Sequence, residues 1–257
     1  AMEVGGDVVA VTLVGVGTPR KSMGWWHAVQ LLEGRVSHAR LATVLEPYFM
    51  GEGSSAAAET GFSAWRARAE ADHHVQFFSK ISEIDTLAHE ELHYAIISLR
   101  PAECAACYYE LVAKGFKTIF IEKPGASNVA ELSAMAEHAA AFGVSLAIGF
   151  MRNLSPYLNE AYKHLMNEVQ NADGEKAASP TRSPELLVTH HNAFKPAELD
   201  ECFARCAKGM LMEMLIHDLA FLVSHLGMSV ANLAEERADA EFSLRERRGE
   251  HVDFVRL

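Results

Sequence analysis

Cysteine is scarce: the 257-residue chain has four. That excludes a disulfide framework stapling a small secreted fold, and a reducing, cytoplasmic setting is the expectation. Cys104-x-x-Cys107 and Cys202-x-x-x-Cys206 have the count of a four-thiolate zinc site, but the first pair falls inside the helical pattern PAECAACYYELVAKG rather than on a knuckle turn. No metal site is therefore expected. The adjacent pairs His73-His74 and His190-His191 point apart in a strand, so neither chelates alone. Basic residues are outnumbered, 23 Lys+Arg against 34 Asp+Glu, for a net charge of −11. No Lys/Arg cluster is long enough to make the basic face that a nucleic acid requires. Long apolar runs are missing as well. None is sufficient to span a bilayer, and the opening AMEVGGDVV lacks the basic region and apolar stretch of a signal peptide. No internal repeat is visible.

What remains is ordinary globular material, 49% hydrophobic and 22% charged, long enough for one large domain or two. Short apolar strands alternate with helical patterns over residues 7–150. The strands are DVVAVTLV, ARLATVLE, VQFFS, HYAIISL, TIFIE and VSLAIGF. The first is almost continuously apolar and β-branched, as a parallel strand covered on both faces must be. Between them lie a helix from about Trp25 to Gly34 and one capped by Ser54 or Ser55 through about Ala71. A third opens at Pro101 and stops at Gly115, and a fourth is capped by Ser127 or Asn128 and stops at Gly143. This order predicts an α/β, doubly wound (Rossmann) domain over residues 1–150.

The texture changes over residues 151–257. Ser155-Pro156 opens a helix, NADGEKAASPTRSP reads as a polar loop, and ELLVTHHNAF reads as a strand. GMLMEMLIHDLAFLVSHLG is a strongly apolar helix that Gly227 ends, with Met212, Leu215, Ile216 and Leu219 able to face the core. EFSLRER and HVDFVRL alternate as two antiparallel strands. The second half is an α+β domain on a mostly antiparallel sheet. Such a sheet normally has further strands, so residues beyond the chain are expected.

The first strand runs into VGVGTPRKSMGWWH. Gly15 and Gly17 fit the first two positions of a dinucleotide fingerprint, G-x-G-x-x-G; the third position holds Arg20, and the next glycine is Gly24. Either the loop carries four extra residues, with Arg20 and Lys21 near the phosphates, or it is another kind of turn. Gly15 to Ser22 also lies one residue from the triphosphate-binding pattern G-x-x-x-x-G-K-[ST]. Arg20 stands where that pattern has its second glycine, a place where the phosphate cradle tolerates a side chain poorly, and no apolar strand ends in an aspartate to hold Mg²⁺. Glu46, ending the second strand, is placed either to bind the adenine ribose hydroxyls or as a solvated strand end. In the first role it would repel a 2′-phosphate and favour NAD over NADP.

Ligands of a doubly wound sheet lie beyond the carboxyl ends of its strands, and Gly15, Glu46, Arg100 and Lys123 all follow strand ends. "FKTIFIEKPG" thus delivers Glu122 and Lys123 to that rim, although strand ends also carry charge merely because they meet water. Glu213 and His217 stand four apart on one helical face, where the acid can orient the imidazole. A histidine in an apolar helix can equally be a satisfied core residue. His225, eight residues on, reads as structural, and Trp25-Trp26 read as packing.

The EKP triplet, YYELVAKGFKT before it, "IISLRP", "IGFMRNLSP" and "MEMLIHDLAFLVSHLG" together resemble the Gfo/Idh/MocA oxidoreductases over most of the chain. The resemblance implies an NAD- or NADP-dependent enzyme acting on CH–OH groups of a sugar, polyol or similar small molecule. Lys123 would touch the reacting hydroxyl and the nicotinamide ribose. His217 would be general acid/base, with Glu213 as its partner. Gly15, Gly17, Thr18, Gly24, Glu46, Arg100, Pro101 and Glu122 would line the cofactor. A homo-oligomer, dimer or higher, is implied by analogy. Several positions depart from the family pattern. The glycine loop is enlarged, Glu213 stands where Asp is usual, Leu215 replaces a small residue, and Ala105 stands where a histidine is frequent. A dinucleotide-binding regulatory protein that has lapsed as an enzyme is the alternative.

Overall fold

The computed structural model describes residues 8–87, 92–174, 215–235, 241, 244–248 and 251–256. Two compact units divide between Gly149 and Phe150.

The first unit holds six strands: β1 (Val9–Val14), β2 (Ala39–Leu45), β3 (Gln76–Phe78), β4 (His93–Ile97), β5 (Thr118–Ile121) and β6 (Ser145–Ile148). All pair in parallel, in the order β3-β2-β1-β4-β5-β6. That is the doubly wound order 3-2-1-4-5-6, with its topological switch between β1 and β4. Helices α1 (Met23–Leu32), α2 (Phe62–His73), α3 (Pro101–Ala113) and α4 (Val129–Phe142) connect the strands. Successive side chains of a strand point to opposite faces. Leu13 and Val14 are both fully buried, yet they belong to different apolar clusters. Val44 and Leu45 divide in the same way. One cluster packs Leu13, Val44 and Ala28 with Phe62 and Trp65 of α2. The other packs Val14, Ile97 and Ile121 with Tyr108 of α3 and Met135 of α4. The sheet is covered on both sides, which is why its strands read as near-continuous apolar runs.

Local signals set most helix ends. Pro101 occupies the first turn of α3, the Asn128 side chain accepts from Glu131 N–H to cap α4, and Gly143 and Gly227 end their helices in the left-handed region. The second helix departs from expectation. Ser54–Ala56 is only a 3-10 turn, and α2 begins at Phe62. The Thr60 hydroxyl donates back to the Ala56 carbonyl at 2.8 Å, and Gly61 takes φ +80°, so the chain turns before the helix starts. Cys104 and Cys107 are buried on α3; burial pushes the Cys104 thiol up to about 12 and raises Cys107 too. Among the described residues no group of three metal-ligating side chains forms, and no helix is long and apolar enough to cross a membrane.

The second unit contains a 3-10 turn at Met151–Leu154, then α5 (Pro156–Gly174) and α6 (Ile216–Leu226). Its described residues also include a 3-10 turn at Val230–Asn232 and an antiparallel pair, β7 (Leu244–Arg248) and β8 (His251–Arg256). The helix after Ser155 runs to Gly174, past Asn171 where the polar loop was expected to begin. The strand ELLVTHHNAF, Cys202, Cys206, Met212 and Glu213 lie outside the described residues. On α6, Asp218 and Phe221 are buried while Leu219 is 36% exposed, contrary to its expected core position. Asp218 wins the inward place because Arg152 of the 3-10 turn forms an ion pair with it. His225 packs its ring against Phe221 and Tyr162.

Candidate functional site

The loop after β1 passes across the exit of β4. A Cβ on Gly15 would stand 2.5 Å from the Ser98 carbonyl oxygen, and the residue has φ +80°, so only glycine fits both constraints. Gly24, in the first turn of α1, packs directly on the Gly15 carbonyl; any side chain there would collide with backbone. These are the first and third duties of the glycine fingerprint, a tight turn and close helix–strand approach. Gly24 performs the third duty although four extra residues precede it. The insertion folds as a compact turn: the Thr18 carbonyl accepts from the N–H groups of Lys21 and Ser22, and Arg20 takes φ +63°. Arg20 and Lys21 are exposed. The Ser22 hydroxyl accepts from Thr18 N–H at 2.9 Å and makes no cap to α1. The leading N–H groups of α1 are therefore not capped by that side chain, and a helix N-terminus of this kind suits an anion. Thr18's own backbone donor is committed inside the loop.

Glu46 is only 2% exposed, so it is no solvated strand end. One carboxylate oxygen accepts from Gly17 N–H at 2.8 Å; the other accepts from Tyr48 and Phe49 N–H at 3.2 and 3.3 Å. Its first task is to tie the end of β2 to the glycine loop. Glu46→Ala would leave three donors short of an acceptor. It is expected to lower stability by about 1–3 kcal/mol in denaturant unfolding, where a solvated strand end would change it by only ~0.5 kcal/mol.

Arg100 is exposed and sits at the N-cap of α3, its N–H on Glu103; Pro101 follows at the first helical position. Both stand at the carboxyl rim beside the Gly15 turn. At the exit of β5, Glu122 and Lys123 are half-buried, and Pro124 follows through a cis peptide bond. The sequence pattern alone did not single out His27. Its Nε2 lies 2.7 Å from Glu122 Oε1, joining α1 to the end of β5. The available signal was position: His27 stands three residues after Gly24, one turn along the inward side of α1. In the second unit, His217 is half-buried in the first turn of α6, next to the Asp218–Arg152 ion pair.

The cradle fits a dinucleotide. Gly15 and Gly24 let the turn, β4 and the start of α1 approach closely, α1 points its N-terminus at the loop, and a fixed carboxylate ends β2. A fold and loop of this description are those of a dinucleotide-binding Rossmann unit. Residues 13–150, just over half of the chain, match the family model described as oxidoreductase family, NAD-binding Rossmann fold. The chain belongs to the Gfo/Idh/MocA family. The triphosphate reading of Gly15 to Ser22 falls away with that assignment. Consistent with this, the Ser22 hydroxyl is already engaged by Thr18.

Among solved structures, a probable dehydrogenase from Thermotoga maritima matches with a TM-score of 0.56 and 18% identity, over 86% of this chain and 56% of its own. Scyllo-inositol dehydrogenase from Lactobacillus casei, with bound cofactor NAD(H) and scyllo-inositol, gives 0.54 and 17%, over 84% and 56%. Myo-inositol 2-dehydrogenase from Lactobacillus plantarum gives 0.53 and 16%, over 84% and 55%. At such identities the likeness is one of fold. The chain spans about half the length of these structures. No curated protein matches it.

Proposed function

We propose that the chain is a nicotinamide-dependent oxidoreductase of a sugar, polyol or related hydroxyl/carbonyl compound, with NAD favoured over NADP. The observation that carries this reading is the exit of β5, which delivers Lys123 to the rim that also holds the glycine loop and Glu46. The NAD(H) and scyllo-inositol bound by the Lactobacillus casei enzyme support both the cofactor and the polyol class.

In this reading Gly15, Gly17, Thr18 and Gly24 form the cofactor loop: Gly15 and Gly24 shape the turn and bring α1 close, and Gly17 and Thr18 form the stretch that the pyrophosphate passes. Glu46 places negative charge where a 2′-phosphate would lie, which disfavours NADP. Arg100, Pro101 and Glu122 complete the rim. When bound, the nicotinamide supplies the hydride acceptor or donor. Lys123 donates a hydrogen bond to the reacting oxygen and lowers the cost of negative charge there. His217 takes the hydroxyl proton in oxidation and returns it in reduction, and Glu213 orients its ring. Residues 1–150 would serve as the cofactor domain, and residues 151–257 as the substrate and oligomerisation domain of a cytoplasmic homo-oligomer.

A second reading, a dinucleotide-binding regulator without turnover, is favoured by Glu213, Leu215 and Ala105, which depart from the family pattern. A panel of polyols and sugars with NAD and NADP, followed by absorbance of the reduced cofactor, separates the two. The first reading expects reduction of NAD that His217→Ala abolishes. Tight NADH binding with no turnover across the panel would transfer the conclusion to the second.

A further inference from the structure

The inserted turn between Gly17 and Gly24 spends its backbone donors on itself. Gly17 N–H goes to Glu46 at 2.8 Å, and Thr18 N–H goes to the Ser22 hydroxyl at 2.9 Å. Pro19 has no N–H, and the N–H groups of Lys21 and Ser22 both return to the Thr18 carbonyl. From Gly17 to Ser22 this leaves the N–H of Arg20. A pyrophosphate bridging two nucleosides carries two negative charges, whereas a helix N-terminus offers the equivalent of about half a positive one. The Glu46 carboxylate, held on Gly17, adds a further negative charge to the same loop. Backbone groups alone leave such an anion poorly compensated.

Arg20 stands at the third position of the glycine fingerprint and two residues before Ser22, the N-cap of α1. Its backbone has φ +63°, in the left-handed region that glycine enters freely and that a residue with a Cβ enters only at a cost. Glycine would serve the turn better, yet the chain has arginine there. Its side chain is exposed. We propose that Arg20 meets the charge of a bound dinucleotide's pyrophosphate, its guanidinium standing in for the backbone donors that the inserted turn uses internally. This rests on the nicotinamide-cofactor reading above. A guanidinium stays charged at any working pH and presents a planar fork of N–H donors that matches phosphate oxygens in pairs. The insertion thus supplies a cation at the place where a regular G-x-G-x-x-G loop has a glycine.

The test reads binding and stability, with no need for a substrate. NADH affinity is measured by fluorescence at low and raised salt for the parent, Arg20→Gln, Arg20→Lys and Arg20→Gly, with thermal unfolding of each. Arg20→Gln is expected to weaken NADH about 10-fold or more at low salt, and the gap should narrow as salt rises. Arg20→Lys, which keeps the charge and loses the fork, should fall between the two. Arg20→Gly should lose as much affinity as Arg20→Gln while unfolding at or above the parent temperature, because it relieves the left-handed backbone. ADP-ribose, which has the pyrophosphate but no nicotinamide, should weaken in parallel with NADH. Arg68→Gln makes the same change in net charge on α2, beside Leu32 and Glu33 toward the other end of α1, and should bind NADH as the parent does. Parent-like NADH affinity in Arg20→Gln overturns the inference, and so does an equal loss in Arg68→Gln, which is the mark of overall charge. A loss confined to NADPH overturns it as well, since it moves Arg20 to a 2′-phosphate. A parent chain that binds neither NADH nor NADPH sinks the cofactor reading and this inference with it, whereas a parent that binds NADH beside an unaffected Arg20→Gln sinks the inference alone.

Discussion

Lys123→Ala is expected to bind NADH nearly as well as the parent and to lose about 10²–10⁴ of turnover, the range typical of a lost proton-transfer or charge-stabilising partner. Lys123 sits half-buried at the exit of β5, on the rim where Gly15 turns and Glu46 ends β2. An ammonium there gains value as the reacting oxygen becomes negative, so its removal should appear in kcat more than in cofactor affinity. A lysine present only because strands end at water would behave differently. Its loss would alter stability by ~0.5 kcal/mol and leave turnover where it was. Parallel measurement of NADH affinity by fluorescence and of kcat decides between them.

Gly24→Ala should abolish NADH binding. A single methyl at this position would meet the Gly15 carbonyl, with the Gly15 carbon and Val16 Cα at 2.9 and 3.0 Å. All three are backbone atoms, so no side chain can swing aside to make room. The α1 N-terminus must retreat from β1, and the turn that shapes the phosphate cradle must open. Overpacking of this kind costs about 1–3 kcal/mol. Because Gly24 is not among the residues with positive φ, the effect is steric alone. Thermal unfolding should therefore drop together with NADH fluorescence enhancement. Retained binding in a folded Gly24→Ala protein would show that the seven-residue spacing from Gly17 does not supply the third glycine.

The parts of this account that were legible in the sequence are those that local chemistry fixes. Strand β1 announced itself as a two-sided buried run, and Leu13 and Val14 do face different clusters. Asn128, Pro101 and Gly143 are cap residues whose preference is set by their own backbone and side-chain chemistry. Partnerships across the sheet were not legible. Nothing in "ATVLEP" tells that Glu46 is buried under three N–H groups, because two donors come from the turn that follows it and the third lies 29 residues earlier in the glycine loop. His27 and Glu122 are separated by 95 residues, and their contact exists only because β4 lies between β1 and β5. The start of α2 was misplaced since a Thr60 hydroxyl and a left-handed Gly61 override the helix propensity of the alanines before them. On α6 the apolar pattern assigned Leu219 to the core, yet Leu219 is exposed while its neighbour Asp218, paired with Arg152, is buried.

Calorimetric titration of the intact chain with NADH, and separately with ATP–Mg²⁺, tests most directly that the loop between β1 and α1 holds a nicotinamide dinucleotide. The account predicts saturable NADH binding that Gly24→Ala removes, with no heat of binding from ATP–Mg²⁺. Binding of ATP–Mg²⁺ without NADH, or NADH binding that ignores Gly24, would contradict it.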